Sequence, residues 1–165
     1  MLEAQKLSEW FAAYAPGLVL YARQWLSCAA AEDTVADVFL RLMEQTSEPQ
    51  NVKAWLYRSV RNSATSAIRS MSRRRKHEEL AAQARVALFE PDFAGEIDAA
   101  SAELILRTLA REQREIVTLR IWAQMSFKEI AAVVDLSAST VFDHYRQALA
   151  QIKQKLESPC SMNQS

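Results

Sequence analysis

The segment from residue 126 to residue 145, SFKEIAAVVDLSASTVFDHY, constrains the fold of this chain more than any other stretch. Ser126 and Glu129 are spaced as a capping box, in which each side chain satisfies a free backbone N–H at a helix start. Asp135 lies where the chain must turn, and Asp tolerates the left-handed conformation better than most residues. Ser137 has the chemistry of an N-cap for a second helix. The segment therefore predicts two helices joined by a short turn, a helix-turn-helix.

A second helix held in this way can enter a DNA major groove with its first residues facing the base edges. Phe142 can contact a thymine methyl group or pack inward, and the sequence leaves both interpretations open. The alternative for the whole segment is a helical hairpin buried in some other all-α protein, but the motif favours DNA binding. The candidate DNA-contacting residues of the second helix are Ser137, Ser139, Thr140, Phe142, Asp143, His144 and Arg146.

The composition of the whole chain predicts an all-α protein. Half of its 165 residues are apolar, only two are Gly and four are Pro, and alternating β-branched residues are nearly absent. We expect two small helical domains, a helical bundle over residues 1–77 and a helix-turn-helix domain over 98–157. A flexible linker is predicted at 78–97, where the helical pattern weakens and acidic residues collect. Residues 158–165 are polar and predicted to be disordered.

Apolar residues at helical spacing predict the individual elements. Asp and Glu near the start of the stretch at 31–45 support a helix there. A stretch that contains Pro49 breaks the pattern before the predicted helix at about 52–75. The predicted helices outside the helix-turn-helix cover residues 3–14, 17–28, 31–45, about 52–75, 99–109 and 112–123.

Several classes of function are disfavoured by what the chain lacks. It has no run of 18 apolar residues and no charged-then-apolar leader, so we expect a cytoplasmic protein that neither spans a membrane nor is secreted. Cys28 and Cys160 stand far apart without CxxC spacing, and only two His are present. We therefore expect reduced thiols, no metal site and no cofactor. Neither a phosphate-cradling loop nor a nucleophile arrangement is visible, so no catalytic residue is assigned and an enzyme is the least supported class.

The formal net charge of zero conceals a segregation of charge along the chain. Residues 1–50 carry three basic and seven acidic side chains, whereas residues 51–78 carry eight basic and one acidic. A concentrated positive field flanked by negative surface indicates one face for a polyanion and another for a protein partner. A merely solvated surface fits any single charge run, but explains the segregation less well.

The helix predicted at about 52–75 combines an apolar stripe with a basic face. No energy source for opening DNA is visible, so strand separation would come from capture of unstacked bases, by stacking on aromatic rings and by contacts to base edges. Asn62 suits base edges, and Trp55 and Tyr57 are candidate stacking surfaces. Trp55 falls on the predicted apolar stripe, where an aromatic residue is more often core. The candidate phosphate contacts are Lys53, Arg58, Arg61, Arg69, Arg73, Arg74 and Arg75.

The helix predicted at 31–45 is acidic and does not favour DNA. Asp37, Arg41 and Glu44 project from one side of it, at a spacing suited to charged groups on another protein. Phe39 is a candidate anchor residue for such a partner. A role as a core residue is equally consistent with its position.

Three blocks of the chain, in this order, resemble the extracytoplasmic-function type of sigma factor, a specificity subunit of bacterial RNA polymerase. They are AEDTVADVFLRLME at 31–44, AWLYRSVRNSATSAIRSMSRRRK at 54–76, and the stretch from residue 109 to residue 156 that contains the helix-turn-helix. The resemblance implies that the first block, in sigma region 2, binds the β′ clamp helices of core RNA polymerase. It implies that the second melts the promoter −10 element and that the third, region 4, reads the −35 element. Asp135 stands where the family usually has a turn Gly, and Ala110 where it often has Pro.

The resemblance implies a non-enzymatic transcription initiation factor whose partners are core RNA polymerase and promoter DNA. Members of this family are often held inactive by an anti-sigma factor, which is a further candidate partner. The alternative is a two-domain helix-turn-helix regulator that binds DNA without polymerase. That alternative explains residues 126–145 but leaves the block at 31–76 unexplained.

Overall fold

The computed structural model describes residues 4–77 and 99–157, with side chains described over 4–74 and 104–157. All regular structure in these ranges is helical, which confirms the all-α prediction, and the helices belong to two compact units built mainly on the first three and the last four of them. The predicted linker and tail lie outside the described residues, so the domain boundaries stay predictions. The helices are α1 Ala4–Ala22, α2 Cys28–Met43, α3 Val52–His77, α4 Ala99–Thr108, α5 Arg111–Ile121, α6 Phe127–Val134 and α7 Ala138–Glu157.

In the first unit, α1 is one continuous helix where the sequence predicted two. It passes through Pro16 without a break, although Pro lacks the N–H that would bond one turn back. Leu18 and Tyr21, just beyond that point, are completely buried. Burial of this apolar face against α2 and α3 outweighs the local cost of the proline, at which the sequence pattern predicts a break between two helices.

Polar side chains define where the next two helices begin. The Ser27 hydroxyl accepts a hydrogen bond from the Ala30 N–H at 3.4 Å, which places the start of α2 three residues earlier than predicted. The Asn51 side-chain oxygen accepts from the Ala54 N–H at 2.9 Å and caps α3. The core between α1, α2 and α3 is aliphatic and aromatic. Its fully buried members include Leu18, Tyr21, Val35, Val38, Leu42, Leu56 and Val60.

A tight contact in this core gives Gly17 a specific role. A Cβ atom added at Gly17 would lie 2.6 Å from the Tyr57 hydroxyl oxygen and 3.9 Å from the Tyr57 Cζ. The first distance is a clash and the second is ordinary van der Waals contact. The close approach of α1 to α3 therefore requires glycine only because the Tyr57 hydroxyl is present.

We expect Gly17→Ala to lower the free energy of unfolding by about 1–3 kcal/mol, the usual cost of overpacking a core. In a Tyr57→Phe background the clash is absent, and Ala is favoured over Gly within a helix by about 1 kcal/mol. The same substitution should then be neutral or stabilising. Urea unfolding of the two single variants and the double variant, followed by circular dichroism, measures this reversal of sign. Equal destabilisation in both backgrounds would contradict the assigned contact.

The second unit packs α5 and α4 against α7, and α6 meets α7 through the Phe127 ring, which lies beside the rings of Phe142 and Tyr145. Ala110 precedes α5 with a φ of −56°, close to the value that a proline ring imposes, which fits the residue usually found there in the resembling family. The predicted start and end of the surrounding helices agree with the structure to within one or two residues. Fully buried residues of this unit include Ile116, Leu119, Met125, Ile130, Val141 and Ala148.

None of the helices in residues 4–77 and 99–157 is long and apolar enough to cross a membrane. Nor do three or more His, Cys, Asp or Glu side chains gather, within those same ranges, where a metal ion could be held.

Candidate nucleic-acid interface

The helix-turn-helix has the local geometry that its sequence predicts. The Glu129 carboxylate accepts from the Ser126 N–H at 2.8 Å, and the Ser126 hydroxyl accepts from the Glu129 N–H at 3.2 Å. This reciprocal pair confirms the capping box at the start of α6. Asp135 ends α6 in the left-handed conformation, with φ 60° and ψ 46°. The resembling family usually has Gly at this turn position. Asp is among the few other residue types that tolerate the left-handed conformation.

A small hydroxyl network begins the second helix, α7. The Ser137 hydroxyl accepts from the Thr140 N–H at 3.2 Å, which confirms Ser137 as the N-cap. The same oxygen lies 2.7 Å from the Thr140 hydroxyl and 3.1 Å from that of Ser139. Ser137 is therefore engaged in fixing the helix start. Ser139, which is exposed, is the hydroxyl better placed for a ligand.

The outward side of α7 brings together most of the predicted DNA contacts. Ser139, Phe142, Asp143 and Arg146 are exposed, whereas Thr140 and His144 are half-buried. Arg146 and Asp143 form a 4.0 Å ion pair, and both side chains are largely exposed. Such a pair is weak in water. Arg146 can therefore exchange its partner for a phosphate or a base, and Asp143 can exchange its partner for a base amine.

An aromatic cluster supports this surface. The Phe127 ring meets the Phe142 ring edge-on at 5.3 Å and 87°, and lies 5.4 Å from the Tyr145 ring. The Arg120 guanidinium lies over Phe127 at 4.7 Å and donates to the Met125 carbonyl at 2.8 Å. The sequence reasoning missed Arg120, because a lone arginine at the end of α5 has no motif to mark it. Its place beside the helix-turn-helix makes it a further candidate phosphate contact.

A second basic surface runs along α3. Seven residues are two helical turns, so Trp55, Asn62 and Arg69 lie above one another. Arg58 and Arg73 extend the same face at spacings of four residues from Asn62 and Arg69. Arg58, Asn62, Arg69 and Arg73 are all exposed, and Trp55 is half-buried. One side of α3 therefore presents cations, an amide and an aromatic ring in a line.

The structure distinguishes the two aromatic residues of α3, both of which are candidate stacking surfaces from the sequence. Trp55 is half-buried and aligned with the exposed Asn62 and Arg69. Tyr57 is 4% exposed, packs edge-on against Tyr21 at 5.3 Å, and contacts Gly17. Burial raises the pKa of Tyr57 to about 12, with a smaller contribution from Tyr14. A base-stacking role does not fit a side chain enclosed in this way, and Tyr57 is removed from the candidate contacts.

The remaining predicted cations of α3 are not equivalent. Lys53 and Arg61 are half-buried, and Arg74 is exposed. Arg74 lies about a quarter-turn from Arg73, because each helical residue advances the direction by roughly 100°. The side chain of Arg75 lies outside the described side chains.

The acidic helix α2 also differs from its prediction. Phe39 is 5% exposed and packs edge-on against Phe11 at 4.9 Å, so it is a core residue and not a surface anchor. Its neighbours Leu40 and Met43 are 58% and 49% exposed. The sequence does not single out Leu40 and Met43, because the larger Phe39 is the more obvious candidate for an anchor. Leu40 and Met43, one turn apart, form the exposed apolar stripe of α2.

The charged residues predicted beside this stripe are exposed. Asp37 and Glu44 lie at the surface of α2. The Arg41 guanidinium donates to the Ser63 hydroxyl at 2.7 Å and, through Nε, to the Asp37 carbonyl at 3.4 Å. Arg41 therefore links α2 to α3 while its exposed edge faces solvent. The resulting surface has an apolar centre and a charged margin, the anatomy of a protein-binding surface.

Comparison with known proteins gives matches to both units. The family model for sigma-70 region 2 matches residues 10–75, and that for sigma-70 region 4 matches residues 100–152. The RNA polymerase sigma-E factor of Streptomyces avermitilis is 48% identical over 54 residues, which are 33% of this chain and 30% of that relative. The RNA polymerase sigma-E factor of Streptomyces coelicolor is 44% identical over 52 residues, 32% of this chain and 29% of that one. The matched stretch thus spans under a third of these curated relatives.

Two solved structures share the fold. The sigma factor RpoE from Bartonella quintana, in complex with the anti-sigma factor NepR, gives a TM-score of 0.78 at 22% identity over 94% of this chain and 99% of that one. CnrH, in complex with the cytosolic domain of CnrY, gives 0.66 at 22% identity over 95% of this chain and 91% of that one.

Proposed function

We propose a function from one premise: the chain belongs to the sigma-70 family, as a sigma factor of the extracytoplasmic-function type. It binds core RNA polymerase in the cytoplasm and directs it to the −35 and −10 elements of promoters. It assists melting by capturing unstacked −10 bases, and it does so without catalysing a reaction of its own. The observation that carries the proposal is that one chain combines a region 2 unit, with its basic helix, and a region 4 helix-turn-helix.

Docking on polymerase is assigned to α2. The exposed stripe of Leu40 and Met43 supplies apolar area, and Asp37 and Glu44 supply a charged margin. Anchors of this kind, buried at the centre of an interface, account for most of the binding energy in protein complexes. An acidic helix would repel DNA, so its partner is a protein. The proposed partner is the pair of β′ clamp helices.

Duplex reading is assigned to α7. Its first turn is fixed by the Ser137 cap, and its outward residues Ser139, Phe142, Asp143 and Arg146 face the position of a major groove. Arg146 can bind phosphate or guanine, and Asp143 can accept from a cytosine amine. Arg120 adds a cation at the edge of this surface.

Strand capture is assigned to the basic face of α3. Removing a base from the stack costs a few kcal/mol, and stacking that base on an aromatic ring returns roughly 1–3 kcal/mol. Trp55 is the stacking surface on this face, and Asn62, two turns further along, suits a base edge. Arg58, Arg69 and Arg73 bind the phosphates of the captured strand. Contacts made only to the open strand shift the equilibrium towards melting without any external energy source.

An anti-sigma factor is a further proposed partner. The RpoE structure of the same fold was captured with one. The chain's own proposed polymerase surface, with its exposed apolar stripe on α2, is a surface that such an inhibitor would have to cover.

Reconstitution with core RNA polymerase tests the proposed function. The purified chain should form a stable complex with core enzyme and support transcription from a supercoiled template at discrete start sites. The alternative regulator would bind promoter duplex alone and add no start sites to core enzyme. An enzyme preparation that gains no specific initiation from the added chain would contradict the proposal.

A further inference from the structure

The structure assigns Phe142 as the residue that selects thymine within the −35 element, by apolar contact with the thymine methyl group. The inference rests on the proposed function and deepens it, since it names the base that one position of α7 reads. Three features of Phe142 lead to it: the exposure of its side chain, the contacts that hold its ring in place, and the absence of polar atoms from the ring.

Phe142 is a large, exposed apolar side chain that lies among polar residues near the start of α7. Its side chain is 47% exposed, beside Ser139, Asp143 and Arg146. It lies five residues after the Ser137 N-cap, in the part of the second helix whose side chains face base edges when a helix-turn-helix docks. Leaving half a phenyl ring in water has a cost, which contact with an apolar group on DNA would offset.

The ring is also held in place before any ligand binds. Phe127, the first residue of α6, meets it edge-on at 5.3 Å and 87°. Phe127 is itself fixed between Tyr145 at 5.4 Å and the Arg120 guanidinium at 4.7 Å. The Phe142 ring is therefore anchored to both helices of the motif. A rigid side chain loses little entropy on binding, so it discriminates more sharply than a mobile one.

Because the ring is apolar, one chemical group of the major groove suits it as a contact. Phenylalanine has no hydrogen-bond donor or acceptor, so it does not bond phosphate or the polar edges of guanine, adenine or cytosine. The C5-methyl group of thymine is the apolar feature of that groove. Contact with another protein would use the same ring, but its place among Ser139, Asp143 and Arg146 on the groove-facing side of α7 favours DNA.

Two linked measurements on the reconstituted holoenzyme test this assignment. Selection from promoters randomised across the −35 element should yield a position of fixed thymine with the wild-type chain, and Phe142→Ala should relax the preference at that position. Replacing that thymine by deoxyuridine removes only the methyl group. Wild-type holoenzyme should bind the uridine duplex about fourfold more weakly, the effect expected from one lost buried methyl. The Phe142→Ala holoenzyme should bind the two duplexes equally.

Phe142→Leu is the matched control, because it keeps an apolar side chain and should keep the preference for thymine. Equal wild-type affinity for thymine and uridine at every selected position would overturn the assignment, and this measurement needs no variant. Unchanged base selection by the Phe142→Ala holoenzyme would overturn it as well. A holoenzyme that selects no −35 sequence would contradict the proposed function itself.

Discussion

Replacing Phe39 by Ala should destabilise the first unit, whereas replacing its neighbour Leu40 should leave the fold intact and impair binding to core polymerase. Phe39 is 5% exposed and in contact with Phe11, so its truncation leaves a cavity and should cost about 3–5 kcal/mol of unfolding free energy. Leu40 is 58% exposed, and an exposed side chain contributes within about 0.5 kcal/mol. As an interface anchor, however, it should contribute about 2 kcal/mol to binding, a loss of roughly thirtyfold.

Chemical denaturation and titration of labelled chain with core polymerase measure the two quantities separately. Met43→Ala should behave as Leu40→Ala does, and the double variant should bind more weakly than either. Ala12, exposed on α1, provides a control in Ala12→Ser, which should alter neither quantity much. Intact binding by the double variant would show that the polymerase surface lies elsewhere.

The second large effect is expected at the exposed arginines of α3. Changing Arg69, Arg73 and Arg74 together to Ala should weaken open promoter complexes by more than tenfold at moderate salt. The slope of log affinity against log salt concentration should also become shallower by up to about 2. Each single-strand phosphate contact contributes about 0.7 to that slope. Core binding should be unchanged, because the proposed polymerase surface lies on α2. Filter binding over a series of salt concentrations measures the slope.

Trp55→Ala is the matched contrast in the same helix. It removes a stacking surface but no charge, so it should lower the fraction of open complexes without changing the salt slope. An unchanged slope in the triple arginine variant would exclude those residues as phosphate contacts. A changed slope in Trp55→Ala would mean that the substitution displaces the neighbouring cations.

The sequence predicts best where a local interaction determines the backbone. The Ser126–Glu129 capping box, the left-handed Asp135 and the Ser137 cap are all satisfied within a few residues of chain, and all three are present. It predicts less well where tertiary packing decides. Pro16 breaks a helical pattern but not the helix, because the burial of α1 against its neighbours is invisible to local rules.

Adjacent apolar residues show the same limit within the candidate sites. Phe39 and Leu40 differ by about 100° on the helix, and a broad apolar stripe does not reveal which of them faces the core. Trp55 and Tyr57 differ by about 200°, and the sequence offers both as stacking surfaces although Tyr57 is enclosed in the core. In both pairs the chemical type of a residue does not reveal its direction, which packing between helices determines.

The most direct test of the central claim is the affinity of the purified chain for core RNA polymerase, measured at low salt with no inhibitor present. We propose that the two units share the work, with α2 bound to polymerase while α3 and α7 engage promoter DNA. We predict a saturable complex with a dissociation constant below micromolar, weakened by the paired Leu40 and Met43 substitutions. A chain that never binds core enzyme, yet binds promoter duplex unaided, would contradict this account.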